Sequence, residues 1–351
     1  MYKSQNLRKD IAGTAFRNHP VTIKDIASFV GVSTATVSLA LSGNSRISEE
    51  TCRKVIMTAE EFGYRPSFAA RSLSMNKSGN IALMIPNLDK IFQQSFFALA
   101  MNGVYDACLI KNYSLRLEVV SDSFVSSRRF IKLFQERSVD GMLYAGSTYS
   151  DTYLNQLHEL KFPFIFAGSY LNSSSLSFVT GDNKRGGWLA VEHLLKSGCR
   201  KIAHIYGDFN IASSLDRFNG YRDALEKAGI VFDDSLIACG GFSETGGAAA
   251  MKKLLKLKPD AVFAGNDIMA FGAVKEIQRA GASVPEDISV CGMDDIPLAA
   301  VISPALTTVK YDIYGIARRA AEKLIDIIEG RQPEQVKEFL QVELIERDSC
   351  R

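Results

Sequence analysis

The sequence predicts two unlike parts in one chain: an all-α helix-turn-helix unit within the first eighty residues and an α/β body in two lobes over the remainder. Three observations carry that expectation. Short helical patterns separated by glycine turns fill residues 21–63. Beyond residue 79, short apolar runs alternate with amphipathic stretches, the pattern of parallel sheets covered by helices. The alternation occurs twice, in sets of about 100–130 residues, which argues for two similar subdomains and not one large sheet.

Composition narrows the classes. With 351 residues, 46% hydrophobic and 23% charged, the chain is ordinary globular material. Its net charge of +2 hides an asymmetry. Residues 1–80 hold 11 Lys and Arg against 6 Asp and Glu, a net of +5, and the remaining 271 hold 30 against 33, a net of −3. A basic segment on a mildly acidic body points to DNA or an anionic membrane surface, with a solvated face as the bland alternative. No apolar run approaches the roughly 18–20 residues of a bilayer span. The first twenty residues, with Lys3, Arg8, Lys9, Asp10 and Arg17, lack a secretory core, so a cytoplasmic protein without membrane contact is expected. Six cysteines are scattered without a C-x-x-C pair, and none of the four histidines (His19, His158, His193, His204) stands at metal-ligand spacing. No phosphate loop, H-E-x-x-H or G-x-S-x-G occurs. No catalytic residue, metal or cofactor is therefore expected.

Residues 1–20 show no periodicity and read as a basic lead-in; the helical unit is expected over 21–66 and a hinge over 67–78. Thr22 stands three residues before Asp25 as a helix start, followed by Ile23, Ile26, Ala27 and Val30 on one face and by Gly31 as the stop. Ser33 caps a second helix whose inward face is Val37, Ala40 and Leu41. Gly43-Asn44 breaks it, and Ser48 with Glu49 and Glu50 opens a third helix with Val55, Ala59 and Phe62 inward. The second helix then presents Ser33, Thr34, Ala35, Thr36 and Ser38 outward, small and polar residues of the kind that enter a major groove. A generic three-helix bundle is the alternative.

The runs Val21-Thr22-Ile23-Lys24-Asp25-Ile26-Ala27, Gly31-Val32-Ser33-Thr34-Ala35-Thr36-Val37-Ser38, Arg46-Ile47-Ser48-Glu49-Glu50-Thr51, Gly63-Tyr64-Arg65-Pro66 and Ala69-Ala70-Arg71-Ser72-Leu73 resemble the N-terminal signature of the lactose-repressor/galactose-repressor (LacI/GalR) family of bacterial transcription regulators. The resemblance implies contacts to double-stranded operator DNA from Thr22, Lys24, Ser33, Thr34, Ala35, Thr36, Ser38, Leu39 and Arg46, and from hinge residues Ser67, Ala70, Arg71 and Leu73. Leu73 matches the family's minor-groove wedge, which unstacks a base step in exchange for contacts to bent DNA. Two positions depart from the pattern. Leu39 stands where the family usually has Arg, and Ser67 where it has Asn. Leu cannot fork onto a guanine edge, so an operator without the usual guanine there is expected, read by Thr34 and Ala35 through thymine methyls.

In the body, strands are expected at Ile81–Pro86, Leu115–Val120, Gly141–Ala145, Pro163–Ala167, Lys201–Tyr206, Leu236–Cys239, Ala261–Ala264 and Ile288–Gly292. Helices are expected near 93–111, 124–137, 150–160, 184–197, 215–228, 245–257 and 267–280. The resemblance extends through Asp182 with Gly186-Gly187, Arg217-Phe218-Asn219-Gly220-Tyr221, Asn266-Asp267, Val284-Pro285-Glu286-Asp287-Ile288, Gly292-Met293-Asp294-Asp295 and Pro304-Ala305-Leu306-Thr307-Thr308-Val309. It implies a periplasmic-binding-protein-like effector domain crossed three times by the chain, near 180, 308 and 333. One lobe would take 79–180 plus 308–332, the other 181–307 plus 333–351.

A cleft between lobes suits a small polar ligand. Arg217, Asn266 and Asp294 lie just past strands or at helix starts, where Arg and Asp can fork onto vicinal hydroxyls. The resemblance adds Phe92, Ile211, Ser213 and Phe242 as pocket positions for a sugar or related metabolite, and a homodimer, with a higher oligomer left open. Bland alternatives stand beside these: Asn266 as a helix cap, Asp294 as a turn residue, the two Phe as core. A ligand-responsive repressor is the expected whole. A solute-binding protein and a sugar-processing enzyme are the competing classes, testable by export and by turnover.

Overall fold

A computed structural model describes residues 21–41, 46–64, 77–88, 91–171, 175–331 and 335–351. The chain divides into two compact units, 1–78 and 79–351. The expected lead-in, the Gly43-Asn44 break and the hinge residues Ser67, Ala70, Arg71 and Leu73 lie outside the described residues.

In the first unit, helices α1 (Ile23–Val30), α2 (Thr34–Leu41) and α3 (Glu49–Glu61) close on Ile26, Ala27, Val37, Ala40 and Val55. The caps follow from the sequence. The Asp25 carboxylate accepts the Thr22 backbone N–H at 2.8 Å and its hydroxyl at 2.7 Å. Gly31, at φ +75°, turns the chain out of α1 while its N–H returns to the Ala27 carbonyl at 2.9 Å. Ser33 Oγ accepts the Thr36 N–H at 3.0 Å, and Ser48 Oγ that of Thr51 at 3.3 Å.

The second unit contains β1 (Asn80–Pro86), α4 (Ser95–Ile110), β2 (Ser114–Val120), α5 (Asp122–Ser126), α6 (Arg129–Gln135), β3 (Gly141–Ala145), α7 (Asn155–Glu159), β4 (Phe164–Ala167) and β5 (Ser177–Gly181). It continues with α8 (Asn183–Lys196), β6 (Ile202–Tyr206), α9 (Ala212–Lys227), β7 (Ile237–Cys239), α10 (Glu244–Leu254), β8 (Ala261–Ala264), α11 (Asp267–Arg279), β9 (Ser289–Asp294), β10 (Thr307–Lys310), α12 (Ile313–Ile328), β11 (Lys337–Leu340) and β12 (Glu343–Ile345). One sheet runs β11-β5-β4-β3-β1-β2 and the other β12-β10-β9-β8-β6-β7. Only β10 with β12 pairs antiparallel among the described strands. Five strands of each sheet share one winding order, so the repeat seen in the sequence is a structural repeat. In such a sheet the order reverses beside its first strand, and the carboxyl ends there open onto a crevice.

The structure corrects three expectations. β10 still belongs to the second sheet, so the second crossing follows residue 310 and not 308. β11 pairs with β5 in the first sheet, so the third crossing lies between 340 and 343 and not near 333. The helix expected over 124–137 is two short helices, broken where Arg128 takes φ +54°. The three crossings lie side by side. The Asp182 N–H donates to the Leu340 carbonyl at 3.0 Å, and Tyr311 OH lies 3.0 Å from Thr180 Oγ1.

His204 on β6 is a core histidine: fully buried, with Nδ1 2.9 Å from the Phe263 carbonyl and its ring stacked 4.8 Å from that of Phe263. Burial pushes it down to about 4, so it stays neutral. Helices α8 and α9 meet through Gly187 and Gly220. A Cβ on Gly187 would collide with the Arg217 backbone, and one on Gly220 with that of Lys184. Gly187→Ala is expected to cost about 1–3 kcal/mol by wedging these helices apart, read as a lower unfolding midpoint. An unchanged midpoint would show that the contact gives way freely.

Candidate functional site

Two surfaces gather the predicted residues, one in each unit. On the first, Ser33, Thr34 and Ala35 are exposed at the start of α2, with Thr22, Lys24 and Arg46 exposed nearby in the sequence order; Thr36, Ser38 and Leu39 are half-buried. Ser33 spends its oxygen on the cap, and its hydroxyl lies 2.9 Å from that of Thr36. Thr34 and Ala35 are therefore the side chains left on the leading turn for a groove, with a helix N-terminus whose N–H groups favour a phosphate.

On the second, the carboxyl ends of β6, β8 and β9 bring Arg217, Asn266 and Asp294 together. Arg217, on α9, is 5% exposed and held on three sides. Its Nε donates to Asn183 Oδ1 at 2.9 Å, Nη1 donates to the Gly265 carbonyl, and the guanidinium lies over the Tyr311 ring at 5.1 Å. Nη2 faces Asp294 Oδ1 at 3.3 Å, charge-paired, yet that oxygen is buried without a hydrogen bond. Burial pushes the Asp294 carboxyl up to about 6 against the opposing pull of Arg217. Asp294 takes φ +121° and Asp295 φ +54°, backbone that side chains other than glycine rarely adopt. Such strain at a strand end aims a side chain where regular backbone cannot.

Asn266 is the cap of α11: its Oδ1 accepts the Met269 N–H at 2.9 Å. The cap uses its oxygen and leaves the amide nitrogen as a donor. Phe242, at φ +57°, lays its ring against Gly207, which follows β6 and has no room for a Cβ. Ile211 holds the N-cap position of α9, and Ser213 is buried in its first turn. Phe92 is 52% exposed on a short 3-10 turn and takes no part in the buried cluster.

Several participants escape sequence reasoning. Asn183 Nδ2 donates to the Gly181 carbonyl at 3.1 Å while its oxygen holds Arg217. Tyr311 OH donates to the Gly168 carbonyl at 3.0 Å, tying a crossing to the end of β4. Ser147, two residues past β3, is fully buried with Oγ unpartnered. The lobes also touch directly. Tyr149 N–H donates to the Asn210 carbonyl at 2.7 Å, Asn210 Nδ2 to Ser150 Oγ at 3.2 Å, and Tyr170 OH to Asp216 Oδ2 at 2.8 Å. Proximity to a crossing is the signal that would have found Asn183 and Tyr311. The cluster at these strand ends therefore holds a buried cation, an under-bonded carboxylate and further donors, a set suited to a polyhydroxyl or amide-bearing ligand.

The model of the bacterial regulatory proteins of the lacI family matches residues 22–67, and a periplasmic-binding-protein-like domain matches 191–350. The HTH-type transcriptional regulator CelR of Thermobifida fusca is 32% identical over 338 residues, covering 95% of this chain and 99% of that one. The chain belongs to the LacI family. This LacI-family chain is a DNA-binding transcription regulator and not an enzyme. It is also 31% identical to the HTH-type transcriptional repressor PurR of Aliivibrio salmonicida, over 93% of this chain and 98% of that one. Among solved structures it resembles a CelR–cellobiose complex with a TM-score of 0.73 at 31% identity, covering 94% of this chain and 99% of that one. It shares the fold of the Lac repressor dimer bound to operator and an anti-inducer, with a TM-score of 0.82 at 24% identity and the same coverage. Among the described residues no single helix is long and apolar enough to cross a membrane, and no group of three His, Cys, Asp or Glu could hold a metal.

Proposed function

We propose that this regulator is a cytoplasmic repressor that reads a pseudo-palindromic operator as a two-fold dimer, and that a sugar or similar polyhydroxyl metabolite between its lobes sets operator affinity. The observation that carries the ligand is the Arg217–Asp294 pair, buried yet leaving a carboxylate oxygen without a hydrogen bond. A ligand hydroxyl donating to that oxygen relieves an unmet acceptor. Asn266, Ser213 and Ile211 would line the same space, and Phe242 would close one wall. The complex of CelR with cellobiose supports the ligand class.

The dimer reading rests on an apolar face: Tyr105, Leu109 and Ile110 on α4, and Leu117 and Val119 on the edge strand β2, are each exposed. The family likeness supports Ser67, Ala70, Arg71 and Leu73 as the part that bends the operator. Ligand control works only through unequal affinity for two states of the body, so the same cleft serves an inducer or a corepressor.

Thermal unfolding of the full chain is measured with cellobiose, ribose, other sugars, polyols and nucleobases. A cleft ligand at about 100 times its Kd adds about 2.7 kcal/mol of stability and changes operator affinity in the same samples. A panel in which nothing raises the midpoint rejects the ligand class.

A further inference from the structure

Asp267 opens α11 directly behind the Asn266 cap and is fully buried. Nothing in the cleft reading uses it, yet it holds the cleft's strained turn. Its Oδ2 accepts the Ile296 N–H at 2.9 Å, just past the left-handed pair Asp294 and Asp295. Its Oδ1 lies 2.5 Å from the Thr308 hydroxyl oxygen, from the strand beside β9. A Cβ on Gly292 would collide with that same oxygen, so the carboxyl packs closely against β9. Strained backbone persists only where its surroundings over-determine it. Asp267 supplies one clamp. The other is Arg347, which pairs with Asp295 at 2.6 Å and donates to the Leu306 carbonyl at 2.8 Å.

The charges around it do not balance. Asp267 faces Asp294 and Asp295 from the β9 end and the Cys291 thiol from within that strand. Arg347 is committed to Asp295, and Lys310 pairs with Glu343 at 3.1 Å. Of the two buried carboxyls, Arg217 pairs with Asp294 alone. Burial first, and then the Asp294 charge, push the Asp267 carboxyl well above its usual range. Two carboxyls beside one guanidinium do not both ionise cheaply in a buried site.

We propose that Asp267 is the positioning residue of the cleft: it clamps the Asp294–Ile296 turn and carries the one proton its pair with Asp294 retains, so that Asp294 meets Arg217 as a carboxylate. What this offers a ligand rests on the cleft reading above; the clamp and the proton do not.

The test compares full-length wild type with Asp267→Asn, Asp267→Ala and Asp294→Asn. The amide keeps an acceptor for Ile296 and a partner for Thr308, and mimics the protonated acid. An acid protonated in the fold but ionised when unfolded adds stability that is fully present below the unfolded pKa and lost as pH rises toward the folded one. As pH rises above about 5, Asp267→Asn should gain on wild type by about 2–4 °C of midpoint per pH unit until the folded carboxyl ionises. Asp267→Ala, lacking both bonds, should melt below Asp267→Asn at every pH. A protonated-carboxyl infrared band at neutral pH should vanish in Asp267→Asn and survive in Asp294→Asn.

The proposal falls if Asp267→Asn keeps the wild-type pH slope, if it melts with Asp267→Ala, or if the band follows Asp294. A sugar panel on the same proteins separates the two claims. Ligands that bind wild type while these results fail leave the cleft reading standing without the clamp. A panel without binders beside the expected slope and band leaves the clamp standing without the ligand.

Discussion

Thr34→Asp abolishes specific operator binding, by about 100-fold or more in Kd, on the order of 3 kcal/mol over the two half-sites of a dimer. The change is confined to recognition for a local reason. Thr34 is the first residue of α2 and is exposed, so the carboxylate meets water in the free protein. An acid in the first turn also complements the helix dipole, so the three-helix core keeps its stability. Against DNA, on the proposed reading, the same carboxylate would face phosphates and lose the methyl contact. Fluorescence anisotropy with a selected operator reads the effect, and the unfolding midpoint serves as control. Affinity that survives the substitution would show that another element reads the bases.

Asp294→Ala removes ligand response while operator binding remains. The substitution strips the under-bonded oxygen that a ligand hydroxyl would meet and leaves Arg217 with Asn183, the Gly265 carbonyl and the Tyr311 ring. Losing one partner of a buried pair costs up to about 3–5 kcal/mol when nothing else compensates. Those remaining contacts hold the guanidinium, so the body stays folded at reduced stability. Ligand affinity is expected to fall at least about 100-fold, the loss of a charge-assisted pair of hydrogen bonds. Asp294→Asn, which keeps shape and tolerates positive φ better, should lose less. Calorimetry with any ligand that stabilises wild type measures both, and equal affinity across the series would remove Asp294 from the pocket.

The two-part architecture and the repeated α/β alternation were legible because each buried strand is an apolar run flanked by turn residues, as in Gly141–Ala145 and Ala261–Ala264. The closing elements were not. β5 and β10 are buried, but they read Ser-Phe-Val-Thr-Gly and Thr-Thr-Val-Lys, polar enough to pass for loops. β11 and β12 are short edge strands carrying Lys and Glu, which resemble exposed connections. Residues 313–328 do carry a helical signal, with Ile313, Ile316, Ala317, Ala320, Ala321, Leu324 and Ile325 on one face, and that helix was within reach. At the site, Arg217 and Asp294 were visible as strand-end polar residues. Asn183, Tyr311 and Asp267 were not, because their role depends on which crossings and turns meet in space. Phe92 stands exposed, which sets aside its reading as a core aromatic.

The three adjacent crossings also make the body a mechanical part. Two plates joined at a single strap can swivel as well as fold. Here the segments at 181–182, 310–311 and 340–343 run through one seam and are cross-tied by the Asp182–Leu340 and Thr180–Tyr311 contacts. Torsion would have to shear those ties, whereas flexure about the seam leaves them intact. Tyr311 lies in that seam with the Arg217 guanidinium over its ring, so a molecule gripped there acts on a short lever, and small displacements at the seam become large ones at the outer edges of the plates.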